Sequence, residues 1–132
     1  MKIAVIGANG QLGHDVVRVF ADQGDEVSPL THEDIELSSR ESVAERLRAT
    51  QAEVVVNTAA MHHVESCEQQ PDRAYAVNAV GARNLAIATR DLGSVLIHVS
   101  TDYVFDGTKG EPYIESDEAR PLNVYGRTKL EG

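Results

Sequence analysis

Three side chains in the second half of the chain have the types needed to reduce a carbonyl group. Tyr125 and Lys129 lie four residues apart, a spacing that places both on one face of a helix. Thr101 follows the apolar run Val95–Val99, which has the composition of a buried strand. Because a lone Tyr-x-x-x-Lys pair is common by chance, the alternative of a weakly interacting surface pair stays open at this point.

A phenol and an ammonium one helical turn apart could protonate a carbonyl oxygen while hydride reaches the carbonyl carbon. A phenol ordinarily holds its proton far above neutral pH, and a nearby cation lowers its pKa by stabilising the phenolate. The spacing therefore predicts Tyr125 as the proton donor and Lys129 as the cation that activates it. Thr101 would hold the carbonyl oxygen, and Lys129 could also hydrogen-bond a nicotinamide ribose.

A glycine-rich loop near the N-terminus has the spacing of a dinucleotide-binding turn. Gly7, Gly10 and Gly13 form a G-x-x-G-x-x-G pattern between the apolar run Ile3–Ile6 and an amphipathic segment. Gly7 allows the tight turn, Gly10 lets the backbone approach a pyrophosphate, and Gly13 lets the helix pack close to the strand. The loop thus predicts nucleotide binding, the alternative being an ordinary turn with no ligand.

The end of the second strand bears on the choice of cofactor. An acid at this position would hydrogen-bond the adenosine ribose and favour NAD. Here the strand ends in Thr31 and His32, and the acids Glu33, Asp34 and Glu36 come later, where a solvated loop is the alternative. No arginine follows this strand to meet a 2′-phosphate, but the missing acid favours NADPH, with NADH as the alternative.

The supporting elements alternate between strands and helices. Apolar runs predict strands at Ile3–Ile6, Glu26–Leu30, Ala52–Asn57 and Val95–Val99. Helical patterns with caps predict helices around Leu12–Phe20, Ser38–Leu47, Pro71–Ala88 and Asn123–Glu131. This order predicts an α/β fold with a Rossmann-type doubly wound parallel sheet. Because the complete arrangement has six strands, we expect residues 1–132 to be an incomplete NAD(P)-binding domain, truncated within its last helix, with later strands and a substrate domain missing.

Composition excludes several classes of partner. The chain carries 12 Lys and Arg against 21 Asp and Glu, a formal charge of −9, which disfavours nucleic acid and anionic membranes. No apolar run is long enough for a membrane span, and a single cysteine, Cys67, fits a reducing cytoplasm. His62, His63 and Cys67 lack a second pair of ligands, so no metal site is predicted.

Three segments together resemble the extended short-chain dehydrogenase/reductases. They are the loop Gly7–Gly13, the segment STDYVFDG at Ser100–Gly107 and the segment PLNVYGRTKLEG at Pro121–Gly132. The resemblance covers nearly the whole chain, and the last two segments are far more specific than the glycine loop. It implies NAD(P)H-dependent reduction of the 4-keto group of a dTDP-deoxysugar, dTDP-4-dehydrorhamnose.

The same resemblance implies roles for individual residues. It places Gly10, Gln11 and Leu12 on the cofactor diphosphate, and Glu36 and Leu37 beside the adenine, although the family usually has Asp where Glu36 stands. The turn after the third strand would line the cofactor through Ala59, Ala60 and Met61. Thr101, Tyr125 and Lys129 match the catalytic triad, Tyr125 and Lys129 also touching the cofactor, and Thr101 and Asp102 match the edge of the sugar site. Asn78 matches a structural or relay position.

Two other functions remain open from the sequence. A sugar-nucleotide epimerase or dehydratase shares the glycine loop and the Tyr–Lys pair. A non-catalytic regulatory subunit would keep the nucleotide-binding fold, although it has no need of the full triad. The expected partners are a nucleotide-sugar substrate and a second copy of the chain in a homodimer.

Overall fold

A four-stranded parallel sheet organises the computed structural model, which describes residues 1–132. Its strands are β1 (Lys2–Ile6), β2 (Glu26–Leu30), β3 (Val54–Asn57) and β4 (Val95–His98). They lie in the order β2-β1-β3-β4. Ile6 pairs with Leu30 on one side and Asn57 on the other, and Asn57 pairs with His98, so all four strands end at the same edge. The predicted α/β fold with a parallel sheet is confirmed.

Helices connect these strands and cover the sheet. They are α1 (Gln11–Asp22), α2 (Arg40–Thr50), α3 (Val64–Gln69), α4 (Pro71–Tyr75), α5 (Gly81–Leu92) and α6 (Val124–Glu131). A π-helical turn (Ala76–Val80) joins α4 to α5, and a 3₁₀ turn (Asp102–Val104) follows β4. No helix is both long and apolar enough to cross a lipid bilayer.

The apolar core lies on both faces of the sheet because side chains alternate along each strand. On one face Ala4, Ile6 and Val55 pack with residues of α2 and α5, including Leu47 and Leu85. On the other face Ile3, Val5 and Val56 pack against Val16 and Phe20 of α1. Each fully buried Leu, Ile or Val contributes roughly 1.5–3 kcal/mol of stability, so both layers hold the strand ends in place.

The third helical region differs from the single regular helix predicted from Pro71. The Gly81 N–H donates to the Ala76 carbonyl, five residues back, and this π-helical turn inserts one residue into the helix. The spacing of Val77, Val80, Leu85 and Ala88 predicts one buried stripe along a regular helix. The insertion changes the phase of that stripe, so Val80 is 42% exposed. Asn78 in the middle of the turn is fully buried instead.

The N-cap of α2 lies one residue later than predicted. The spacing of Ser38 and Glu41 suggested that Ser38 caps this helix, but the hydroxyl of Ser39 accepts the Ser42 N–H. Ser38 donates its hydroxyl to Glu36 instead. The prediction failed because either adjacent serine could supply the cap.

Strand β4 is buried on one face only, whereas the sequence predicted burial on both. Leu96 packs against the α2 and α5 side of the sheet. Val95 and Ile97 point to the α1 side and are 60% and 48% exposed. Because α1 packs against β1 and β2 and does not reach β4, it leaves these two side chains uncovered.

Candidate active site

The glycine turn between β1 and α1 requires its glycines for reasons of space. Gly7 has φ +80°, and a Cβ there would stand 2.8 Å from the Ala59 nitrogen. A Cβ on Gly13 would stand 2.1 Å from the Gly7 carbonyl oxygen. Gly7 therefore lets the turn lie against the end of β3, and Gly13 lets α1 lie against the turn.

The N-terminus of α1 has free backbone donors at the carboxyl edge of the sheet. The first bond within the helix runs from the His14 N–H to the Gly10 carbonyl, which leaves the amides of Gln11, Leu12 and Gly13 without helical acceptors. No side chain caps this end, and its first turn holds no acid. An anion such as a diphosphate suits this arrangement of donors and helix dipole.

A cleft of about 720 Å³ opens above this turn. Its volume is in the range of small-molecule binding sites. Among the predicted cofactor residues, those that line it are Gly7, Gly10, Gln11, Leu12, Glu36, Leu37, Ala59 and Ala60. Gly13, Met61, Tyr125 and Lys129 do not line it. The glycine turn and the ends of β2 and β3 thus surround one space.

Three side chains that can carry positive charge line the cleft, namely His32, His62 and Arg73. His32 follows β2, and Arg73 reaches the cleft from α4. The Ser38 hydroxyl and amide hydrogen-bond Glu36 and lower the pKa of its carboxyl group, to which Arg73 adds a smaller contribution. Arg73 could not be recognised from the sequence around β2, because it lies on α4, much further along the chain.

Of the three acids after β2 for which a solvated loop was the alternative, Glu33 is exposed, whereas Asp34 and Glu36 accept hydrogen bonds from neighbouring residues. The Asp34 carboxylate accepts the Thr31 amide and hydroxyl at 2.8 and 2.9 Å and pairs with Arg46 at 3.3 Å. The hydrogen bonds from Thr31 lower the pKa of Asp34. This carboxylate therefore holds the loop that borders the cleft.

Lys129 is buried at the end of β4, with only 4% of its surface exposed. Its Nζ donates to the Val99 carbonyl at 2.6 Å and lies 3.3 Å from His98 Nε2. Burial lowers the pKa of Lys129. The apolar run around position 98 predicts a core histidine, but His98 is only partly buried. It joins Lys129 to Asn57, whose Nδ2 lies 2.9 Å from His98 Nδ1.

Tyr103 contacts both Thr101 and Tyr125. The Thr101 hydroxyl caps the 3₁₀ turn by accepting the Tyr103 N–H at 3.2 Å. The Tyr103 ring lies edge-on to the Tyr125 ring, with centroids 5.5 Å apart. The Thr101 hydroxyl also donates to the Asp102 carboxylate at 3.2 Å. Sequence reasoning missed Tyr103, which packs the two predicted catalytic elements together.

Helix α6, which carries Tyr125 and Lys129, is fixed at its N-terminus by two side chains. Asn123 accepts the Gly126 N–H, and Glu68 of α3 accepts the Val124 N–H, both at 2.8 Å. A Cβ on Gly126 would stand 2.2 Å from the Tyr103 carbonyl oxygen, so only glycine allows this close approach. Glu68 is therefore part of the support for α6.

Asn78 links the turn after β3 to α6. Its side chain accepts the Met61 N–H at 2.8 Å and donates to the Met61 carbonyl at 3.0 Å and to Thr128 Oγ1 at 2.9 Å. Both Asn78 and Thr128 are almost completely buried. The π-helical turn thus delivers a polar side chain that joins two segments of the site.

We expect Asn78→Ala to lower the free energy of unfolding of the intact protein by about 3 kcal/mol, because it leaves the Met61 amide without its acceptor and removes the donor to the Met61 carbonyl and to Thr128 Oγ1. Asn84→Ala is the matched control, since the Asn84 side chain makes one such bond, to the Leu37 carbonyl. The control should cost about 1 kcal/mol. Urea denaturation measures both, and an equal or smaller loss for Asn78→Ala would contradict the bridging role.

The side chains considered for a metal do not converge. Cys67 is buried and donates to the Met61 carbonyl at 3.3 Å, and burial raises the pKa of its thiol. The rings of His62 and His63 lie side by side, with centroids 4.9 Å apart. No group of three or more His, Cys, Asp or Glu side chains is placed to hold a metal ion.

Comparison with known proteins gives matches along the whole chain. The family model described as RmlD substrate binding domain matches residues 1–132. A dTDP-4-dehydrorhamnose reductase of Burkholderia thailandensis is 44% identical over 132 residues, covering 100% of this chain and 44% of that protein. The chain spans somewhat less than half the length of the curated relatives that it matches.

Solved structures agree with this match. A dTDP-4-dehydrorhamnose reductase of Clostridium acetobutylicum superposes with a TM-score of 0.96 at 42% identity, covering 99% of this chain and 47% of that one. A reductase of the same name from Bacillus anthracis, in complex with NADP, gives a TM-score of 0.93 at 32% identity, covering 98% and 46%. The arrangement of strands and helices is thus that of solved reductases.

Proposed function

Because the chain belongs to the RmlD substrate binding domain family, we propose that the protein carrying it reduces dTDP-4-dehydrorhamnose to dTDP-L-rhamnose with NADPH. The observation that carries this proposal is the match along residues 1–132 to proteins named dTDP-4-dehydrorhamnose reductase. The glycine cleft and the segments with Thr101, Tyr125 and Lys129, all at the carboxyl edge of the sheet, support it. Ligands of open α/β sheets bind at this edge.

NADPH is the proposed cofactor, and the chain's residues fit it. The free amides of Gln11, Leu12 and Gly13 suit the diphosphate, and Gly10 leaves room for it to approach. His32 and Arg73, which line the same cleft, suit a 2′-phosphate, and the reductase of Bacillus anthracis was solved with NADP. When bound, the reduced nicotinamide supplies the hydride.

Tyr125 is the proposed proton donor to the oxyanion that forms on the sugar carbonyl. The ammonium form of Lys129, one helical turn along α6, would stabilise the resulting phenolate. Thr101 would hold the carbonyl oxygen. The Thr101 oxygen accepts the Tyr103 N–H, and the Thr101 hydroxyl proton is donated to the Asp102 carboxylate. To donate to the substrate, this hydroxyl must therefore turn away from Asp102. Thr101 and Asp102 together would form the edge of the sugar site.

The direct test is incubation of the intact protein with NADPH and dTDP-4-dehydrorhamnose. We expect a stoichiometric loss of the reduced-nicotinamide absorbance and the appearance of dTDP-L-rhamnose. The physical reason is that a reductase consumes its cofactor, whereas an epimerase regenerates it in each cycle. Sugar isomerisation without net loss of NADPH would contradict the reductase and favour the epimerase, and cofactor binding without turnover would favour a regulatory subunit.

We also propose a cytoplasmic location and a homodimeric state. A single buried thiol, Cys67, suits a reducing compartment. The mass of the intact protein in solution, measured by light scattering after gel filtration, tests the dimer.

A further inference from the structure

A continuous run of hydrogen bonds joins the turn after β3 to Lys129. The Ala59 N–H donates to Asn57 Oδ1 at 3.1 Å, and Asn57 Nδ2 lies 2.9 Å from His98 Nδ1. His98 Nε2 lies 3.3 Å from Lys129 Nζ, which donates to the Val99 carbonyl at 2.6 Å. Ala59 also lines the cleft, so the run extends from the proposed cofactor site to the proposed catalytic lysine.

The first bond fixes the orientation of the Asn57 amide. A backbone N–H can donate only to an acceptor, so the oxygen of Asn57 must face Ala59 and its NH₂ group must face His98. His98 Nδ1 is then the acceptor of that NH₂ group. Because a neutral imidazole has one acceptor and one N–H, the proton of His98 lies on Nε2 and points toward Lys129.

An Nε2–H group and an ammonium are both donors, so they cannot hydrogen-bond to each other. A neutral amine on Lys129 accepts the Nε2–H with its lone pair and still donates to the Val99 carbonyl. An ammonium would make the contact with Val99 equally well, so the orientation of Asn57 is the feature that discriminates. Of the two forms of Lys129, only the neutral amine gives the Nε2–H of His98 an acceptor.

We propose that His98, oriented by Asn57, is a positioning residue that stabilises the neutral amine of Lys129. The relevance of this role to turnover rests on the proposed reductase function, in which the ammonium of Lys129 stabilises the Tyr125 phenolate. His98 and Asn57 would then lower the pH above which Lys129 loses its proton. They therefore set the alkaline limit of the reaction.

The surroundings of Lys129 agree with this role. Its side chain forms no ion pair, and burial lowers its pKa. Burial and then Lys129 itself lower the pKa of His98. The titratable and charged residues on the elements packed against α6 are Glu65, Cys67, Glu68, Asp72, Arg73, Tyr75, Asp102 and Tyr103. Those on α6 itself are Tyr125, Arg127 and Glu131, and those on α5, which packs against β4, are Arg83, Arg90 and Asp91.

The substitution Asn57→Asp tests the proposal with a nearly isosteric change. The carboxylate still accepts the Ala59 N–H, but it replaces the NH₂ group with a second acceptor facing His98 Nδ1. The imidazole proton should move to Nδ1, which frees Nε2 to accept from a charged Lys129. We expect the alkaline limb of the kcat/KM profile to move up by about one pH unit, a tenfold change in proton affinity.

The tautomer and the lysine charge are read by NMR of the intact, cofactor-free protein labelled with ¹⁵N in His and Lys. We expect a protonated Nε2 and an unprotonated Nδ1 on His98, exchanged in Asn57→Asp, and a rise of about one unit in the pKa of Lys129. His98→Gln, which replaces the obligatory donor with an amide able to present its oxygen, should raise that pKa too. It serves as the second variant if Asn57→Asp does not fold.

The matched control is His14→Gln, since His14 is exposed on α1 and does not line the cleft. It should leave the pH profile and the Lys129 resonance unchanged. A protonated Nδ1 on wild-type His98, or an unchanged Lys129 pKa in His98→Gln, would overturn the proposal, since the carboxylate of Asn57→Asp also raises that pKa through its charge. Because these NMR measurements need no turnover, they remain decisive even if the protein fails to reduce the dTDP-sugar, a result that would count against the proposed function alone.

Discussion

Tyr125→Phe is expected to lower kcat for reduction of the dTDP-sugar by about 10²- to 10⁴-fold, with little change in KM. The phenol supplies the proton that the carbonyl oxygen needs as its charge develops, and a phenylalanine ring cannot donate one. The ring itself remains, so its edge-on packing with Tyr103 should survive. Steady-state kinetics on the intact protein with NADPH measure the effect.

Tyr75→Phe is the matched control for this substitution. Tyr75 lies on α4, is 40% exposed and does not line the cleft, so loss of its hydroxyl should leave kcat within about twofold. Binding of NADPH to the two variants should be nearly equal, which separates a chemical defect from a folding defect. A Tyr125→Phe enzyme with the wild-type rate would remove Tyr125 from the role of proton donor.

Local patterns were sufficient to predict the glycine turn and the sheet. The turn Gly7–Gly13 lies within one strand–turn–helix unit, so its spacing depends on neighbours in sequence. The strands are short apolar runs that end at one edge because consecutive crossovers keep them parallel. The exposure of one face of β4 could not be predicted in this way, since it depends on whether a distant helix covers Val95 and Ile97.

The surroundings of the candidate catalytic residues depend on contacts between distant segments. His98 looked like a core residue because its strand is apolar, but its partner Asn57 is 41 positions away and is set by the register of β3 against β4. Arg73 reaches the cleft through the path of α4, and the π-helical turn buries Asn78. No local periodicity indicates such positions, because each depends on how the layers pack.

The second large effect is expected at the glycine turn. Gly13→Ala should lower the free energy of unfolding by about 3 kcal/mol, because the new Cβ would lie 2.1 Å from the Gly7 carbonyl oxygen. Neither atom can move alone, since Gly7 already lies against Ala59 and the end of β3. The helix must therefore shift away from the sheet and lose packing of Val16 and Phe20 against β1. Urea denaturation of the intact protein measures the loss.

Gly10→Ala separates this steric role from the binding role of the same turn. Gly10 has φ −77°, which alanine adopts readily, and its Cβ would lie 3.2 Å from the Gly7 carbonyl oxygen, a contact that small shifts relieve. This variant should keep most of its stability but bind NADPH at least tenfold more weakly, because the methyl group stands where the diphosphate must approach the amides of α1. Isothermal titration with NADPH measures that loss. Unchanged binding in Gly10→Ala would show that the diphosphate lies elsewhere, and wild-type stability in Gly13→Ala would show that α1 does not need its close approach to the turn.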